Sequence, residues 1–213
     1  NFTITSARYN VFTRSIGILV GINDGIIKNV QGISNMRFVG QDSSTWGAVV
    51  NVGGIAGYNR GNISNIKIAN NFNLNTSNAV HELRAGGIVG TNDGIVEQVI
   101  VSSITSAHSS KNDPMRDGIT MAGGVSGVNT VRGLIKDVET VDNDIKAYSM
   151  DYAFSAGITG ENNGTIKNTY SSGNYEAHGY WTSFVSEPLV GAIFAGGTFA
   201  KVHNNIAKNN VLT

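Results

Sequence analysis

The chain has 213 residues, with 15 basic and 15 acidic side chains and no cysteine. That balance argues against electrostatic capture of nucleic acid or anionic lipid. The missing thiols exclude a disulfide framework and thiolate chemistry, and no apolar run reaches the roughly 18 residues that a membrane-spanning helix needs.

Residues 1–14 alternate enough to form a lead-in strand. Residues 15–30 then read SIGILVGINDGIIKNV, and the pattern returns at 51–66 (NVGGIAGYNRGNISNI), 84–99 (RAGGIVGTNDGIVEQV), 121–138 (MAGGVSGVNTVRGLIKDV, with two extra residues in its turn) and 154–169 (FSAGITGENNGTIKNT). A worn sixth copy lies at 191–206 (GAIFAGGTFAKVHNNI). The anchor glycines Gly21, Gly57, Gly90, Gly127 and Gly160 stand 36, 33, 37 and 33 residues apart. A period in this range signals a solenoid or array. The chain enters its first copy without Met or a signal peptide, as a piece of something larger would.

Within each copy the columns have distinct chemistry. Leu19, Ile55, Ile88, Val125 and Ile158 share an aliphatic position flanked by small residues, which predicts a strand with one buried face. The next position holds Val20, Ala56, Val89, Ser126 and Thr159, where polar groups are tolerated. Asn23, Asn59, Asn92, Asn129 and Asn162 follow, each with a glycine shortly after. Both residue types accept positive φ, so this is a corner. A second strand buries Ile27, Ile63, Val96, Ile135 and Ile166, and the aliphatic position three residues on implies another bend. That bend falls at Asn29, Asn65, Gln98, Asp137 and Asn168. Third strands are expected near 36–39, 72–75, 101–105 and 144–148, followed by variable segments at the same phase of every copy.

Copies that present like residues at like places gain most by stacking in register, with aliphatics inside and asparagine amides bonded along their column. The expected fold is therefore all-β: one domain over 1–213, a parallel β-helix (β-solenoid) of five to six coils, one repeat per coil, with a degenerate last coil at 189–213. At roughly 4.8 Å per coil it would be about 25–30 Å long. The variable segments would line one side, where solenoids commonly build binding surfaces.

The run Gly17–Gly21 with Asn23, Asp24, Gly25, Lys28 and Asn29 resembles the GLUG motif, a G-[IL]-V-G-x-N-x-G-x-[IV]-x-N type repeat, and residues 87–98 and 157–168 match it about as well. The resemblance implies a repeat segment of a large bacterial surface or secreted protein. Immunoglobulin-A-cleaving zinc metallopeptidases and haemagglutinin-like adhesins both carry the motif. The zinc-binding H-E-x-x-H of those peptidases is not met here: His81 and Glu82 begin it, but Arg84 and Ala85 follow.

No catalytic set emerges. The four histidines, His81, His108, His178 and His203, fall in separate repeats, so neither a metal nor a cofactor is expected. Asp113, Asp117, Glu139, Asp142, Asp144 and Asp151 could supply an acid/base or calcium pair across adjacent coils, although aspartate in turns is the ordinary alternative. Trp46, Tyr148, Tyr152, Tyr180 and Trp181 lie in or beside the variable segments. Exposed aromatics there would stack on sugars or anchor a protein interface, or else seal the groove between loop and coil. Phe72 and Phe154 are assigned to the interior. The expected function is a non-catalytic spacer and adhesion platform for a host protein or glycan, with neighbouring domains or copies of the chain at its ends. The alternatives are a substrate-holding accessory domain of a secreted metallopeptidase and a polysaccharide-cleaving β-helix enzyme.

Overall fold

A computed structural model describes residues 2–6, 13–41, 48–77, 80–110, 118–149, 152–179, 188–196, 201–203 and 205–212. These form strands and turns, all strand pairing is parallel, and no helix occurs among them. After a lead-in strand, Phe2–Ser6, each coil contributes three strands. Coil I has Thr13–Gly17, Val20–Asn23 and Ile26–Gln41; coil II has Ala48–Gly53, Ala56–Asn59 and Asn62–Ser77. Coil III has Val80–Gly86, Val89–Asn92 and Ile95–Ser110; coil IV has Ile119–Gly123, Ser126–Asn129 and Leu134–Ser149. Coil V has Tyr152–Ala156, Thr159–Asn162 and Thr165–Gly179. Coil VI is reduced to Leu189–Gly191, Phe194–Gly196, Lys201–His203 and Ile206–Leu212. Equivalent strands stack into three sheets, called here the first, the short and the long sheet. Four coils, II to V, have a complete neighbour on at least one side and a strand-paired neighbour on the other. The expected five to six counted the ends as well.

The β-solenoid is thus as expected, but the repeat folds differently at its apolar centre. The position of Ile88 is not mid-strand. The chain bends at Gly87 and Ile88, between the first and short strands. Glycine gives coil III its tight version of that bend, where a Cβ on Gly86 would lie 2.0 Å from the carbonyl oxygen of Val89; coil V makes the bend with Ala156 in the same column. The bend turns the following residue inward too, so Ala56, Val89, Ser126 and Thr159, read as tolerant outer positions, are buried. Polarity survives there by pairing: the Ser126 hydroxyl donates to Thr159 Oγ1 at 2.8 Å.

Two apolar columns result. One joins Ile55, Ile88, Val125 and Ile158 of the bend to Ile63, Val96, Ile135 and Ile166 of the long sheet. The other packs Val50, Leu83, Ala122 and Ala153 of the first sheet on Phe72, Leu74, Ile145 and Tyr175. Each buried aliphatic contributes about 1.5–3 kcal/mol. A polar row separates the columns: Asn70, Ser103, Asn143 and Ser172, all buried. Asn70 Nδ2 donates to the carbonyl of Gly87 at 2.5 Å.

The asparagine column is a continuous ladder. Nδ2 of each residue donates to Oδ1 of the next, Asn23 to Asn59 (2.8 Å), Asn59 to Asn92 (2.9 Å), Asn92 to Asn129 (2.9 Å) and Asn129 to Asn162 (2.8 Å). Nδ2 also reaches the carbonyl of the corner glycine, as from Asn92 to Gly94. The two extra residues of coil IV leave this ladder intact and push Val131 into solvent. The second bend is also where the spacing put it: Asn29, Asn65, Gln98, Asp137 and Asn168 all have φ between 52° and 62°, a conformation asparagine tolerates better than most residues. A further bulge gives coil IV one extra residue, with Asp142 at φ 50°.

Three assignments need correction. Leu19 is 52% exposed although its column is buried elsewhere, because no coil covers coil I there among the described residues. Phe154 is half-buried on the outer side of the first sheet, since its neighbours Ala153 and Ser155 take the inward positions. The sixth copy begins at Leu189 rather than 191: Leu189 pairs with Phe154 and Gly191 with Ala156.

Candidate functional site

Period-two alternation decides what the long sheet presents outward. In coil III, Val99, Val101, Thr105 and Ala107 point in, leaving Ile100, Ile104, Ser106 and His108 outside. Strand register then sets His108 beside Tyr148 and Tyr148 beside His178. The rings form a ladder along the solenoid. His108 and Tyr148 meet edge to face with centroids 5.8 Å apart, and Tyr148 and His178 stack with centroids 5.1 Å apart and planes within 3°. One column over, Lys146 Nζ lies 3.3 Å from Glu176 Oε2 and 4.0 Å from Asp144. The Tyr148 hydroxyl donates to Glu176 Oε1 at 3.5 Å, and the His178 ring hydrogen-bonds the same carboxylate.

The electrostatics are those of a paired cluster. The hydrogen bond from His178, aided by Lys146, holds the Glu176 carboxyl below its ordinary range. Asp144 and Glu176 together hold the Lys146 ammonium above its own. Burial alone pushes the His108 imidazole down. A carboxylate kept ionised in this way is a poor general acid near neutral pH.

Beside this cluster the outer face is hollowed. A groove of about 720 Å³ is lined by Ile100, Glu139, Tyr170 and Ile206, with the bend residues Gln98 and Asn168 at its margin. A second hollow of about 470 Å³ adjoins it at Ile100 and reaches Lys67 and Ala69. Ile100 and Ile104 are 40% and 50% exposed, on a face that alternation would reserve for polar residues.

Of the aromatics singled out in the sequence, Tyr148 is central to the ladder, and Tyr152 is 38% exposed at the start of the first strand of coil V. Trp46, Tyr180 and Trp181 lie outside the described residues, as do Asp113, Asp117 and Asp151. Glu139, Asp142 and Asp144 lie on the outer side of coil IV. Among the described residues no group of three or more histidine, aspartate or glutamate side chains could hold a metal ion. His108 and His178, read as isolated, share one column with Tyr148 between them. No helix among the described residues is long and apolar enough to cross a membrane.

No protein-family model matches the chain, and neither does any curated protein or solved structure.

Proposed function

We propose that this chain is a non-catalytic β-solenoid segment of a bacterial surface or secreted protein, acting as a rigid spacer that presents its long-sheet face to a host protein or glycan. One observation carries the reading: the repeated aliphatic and asparagine columns point inward and serve stacking, while the outward side chains of the long sheet, as in the column of Asn75, His108, Tyr148 and His178, differ from coil to coil. The ladder of His108, Tyr148 and His178 and the aliphatic hollow at Ile100 lie on that side. Rigid aromatics fixed on strands lose little conformational entropy on binding, which suits recognition. The paired state of Glu176 supports binding over acid/base cleavage.

The test is a glycan and host-protein array probed with the whole chain, followed by a reducing-sugar assay on each glycan bound. The expected result is retention without release of reducing ends, weakened at least tenfold by Tyr148→Ala. Release of reducing ends would make the chain an enzyme. Undiminished retention by Tyr148→Ala would move the contact elsewhere.

A further inference from the structure

Two anomalies coincide on the outer face of the long sheet. The first is apolar. The hollow of about 720 Å³ shares Ile100 with the one of about 470 Å³, and a third of about 430 Å³ shares Tyr170 with the first and Val141 with the second. Ile104 borders the third. Val141 sits in the bulge of coil IV, where the register with coil V slips between Thr140 and Asn143. Ile100, Ile104, Val141 and Tyr170 thus form one apolar strip on the outside of coils III to V.

The second anomaly is electrostatic. Among the described residues, Asp24, Glu82, Asp93, Glu97, Asp144 and Glu176 each lie within 4.0 Å of a basic group. Glu139 and Asp142 form no such ion pair among the described residues, and both are exposed. Glu139 lines the first hollow and Asp142 the third. Asp137 of the same coil accepts an amide from Asn168 and lies in the field of Lys136, and Glu161, on the short sheet, is held by Asn163. Lys67 lines the second hollow, and register places it two coils from Glu139.

The backbone limits what can enter. The long strands of coils II to V are paired on both sides, so no edge is open there for an added strand, and an occupant has to bind through its side chains. From Gln31 to Ile206 the hollows cross five coil steps. That is roughly 24 Å, the length of about 16 residues of α-helix. A neutral sugar would leave Glu139 and Asp142 without a counter-charge, and an acidic glycan or nucleic acid would be repelled by them.

We infer that this groove is a docking site for a basic amphipathic helix of a partner protein, lying along the solenoid axis with its aliphatic side chains in the hollows and Lys or Arg over Glu139 and Asp142. The inference names the class of partner for the face assigned to recognition above and rests on that reading, but it uses different residues from the ring ladder.

Fluorescence anisotropy on the whole chain tests it with a labelled Leu/Lys peptide of about 16 residues, patterned as an amphipathic helix. One control has the same composition in scrambled order, and another has Glu in place of Lys. The expected result is saturable binding of the patterned basic peptide, at least tenfold tighter than either control and weakened by salt. Glu139→Gln with Asp142→Asn should weaken it at least tenfold, and so should Ile100→Ser. All three positions are exposed, so the thermal melt should stay in place. Tyr148→Ala should leave peptide binding unchanged. Equal binding of the scrambled peptide, or no effect of Glu139→Gln with Asp142→Asn, overturns the inference. So does an array glycan whose retention falls with Ile100→Ser, which would assign the groove to a sugar. Failure of the peptide beside intact, Tyr148-dependent retention of a glycan or host protein would sink the helix site and leave the recognition role standing. Loss of both would sink both.

Discussion

Leu19 and Ile88 hold the same place in their repeats, yet one is half in water and the other fully buried. Leu19 follows Ile18 and Ile88 follows Gly87, but both precede Val-Gly and both lie on the bend between the first and short strands. What separates them is a roof. Ile88 has Ile55 on one side and Val125 on the other; among the described residues Leu19 has only Ile55. In a stack of coils a side chain is worth what its neighbours above and below make it worth, as a nearest-neighbour account of repeat proteins requires.

The sharpest way to break that comparison is a charge in each place. Ile88→Asp puts an unpaired carboxylate between two apolar coils, costing several kcal/mol, and should unfold coils II to IV in a thermal melt followed by circular dichroism. Leu19→Asp should stay within about 0.5 kcal/mol of the parent, as exposed substitutions do. Equal losses would show that burial along the column is not what holds the stack.

The ladder gives the next largest difference. Asn92→Leu breaks both ladder bonds at 2.9 Å, leaving Asn129 Oδ1 without its donor and Asn59 Nδ2 with only the carbonyls of Gly61 and Ile95. Each buried group left unsatisfied costs about 1–3 kcal/mol. Asn23→Leu interrupts only one such bond, so a chemical-denaturation midpoint should fall roughly half as far. If Asn92→Leu proves neutral, the ladder is a consequence of stacking and not a cause.

Glycines sharpen the comparison on a smaller scale. A Cβ on Gly90 would sit 2.4 Å from the Val52 amide nitrogen, where a short strand crosses the first sheet of the preceding coil. Gly90→Ala should therefore cost about 1–3 kcal/mol by overpacking. A Cβ on Gly25 meets nothing within 4 Å, so Gly25→Ala should leave the denaturation midpoint nearly unchanged. A larger loss at Gly25 than at Gly90 would contradict the close crossing of the sheets.

Particular residues show how much of this was legible beforehand. Asn92 was, because the same residue recurs at the same phase in five copies, and one geometry satisfies all five. The bend at Gln98 was, because inward aliphatics three residues apart cannot lie on one face of a straight strand. The bend at Gly87 was not. Alternating small and aliphatic residues look like one strand, and only the backbone's return on itself, with Gly86 against Val89, breaks it. The ring ladder was hidden by arithmetic. His108, Tyr148 and His178 are 40 and then 30 residues apart, because coil IV carries extra residues in its turn and its bulge, so they drop out of step with the anchor glycines. The outer hollow did leave a signal, since Ile100 and Ile104 stand where alternation asks for polar residues. It could be recognised only once Val99 and Val101 were known to face inward.

The smallest effect should come from pH, and it separates the outer face from the core. Among the described residues the core columns carry no carboxylate or imidazole, and the carboxylates and imidazole whose pKa values are shifted, Glu97, Glu176 and His108, all lie on the long sheet. Burial lowers the His108 pKa from its ordinary 6.5. The unfolded chain therefore takes up that proton first, and stability should begin to fall as pH drops below about 6.5. Glu97, bonded by Lys136 and Asn62, and Glu176, bonded by His178 and Lys146, both have pKa values lowered from 4.5. Their stabilisation is complete above that value and is lost as pH falls through it. Denaturant midpoints between pH 8 and pH 3 should thus show a shallow step near 6.5 and a second below 4.5. His108→Gln should flatten the first step and leave the second. A first step that survives this substitution would place the titrating group elsewhere, and the ring ladder would then lose its part in holding coils III and IV together.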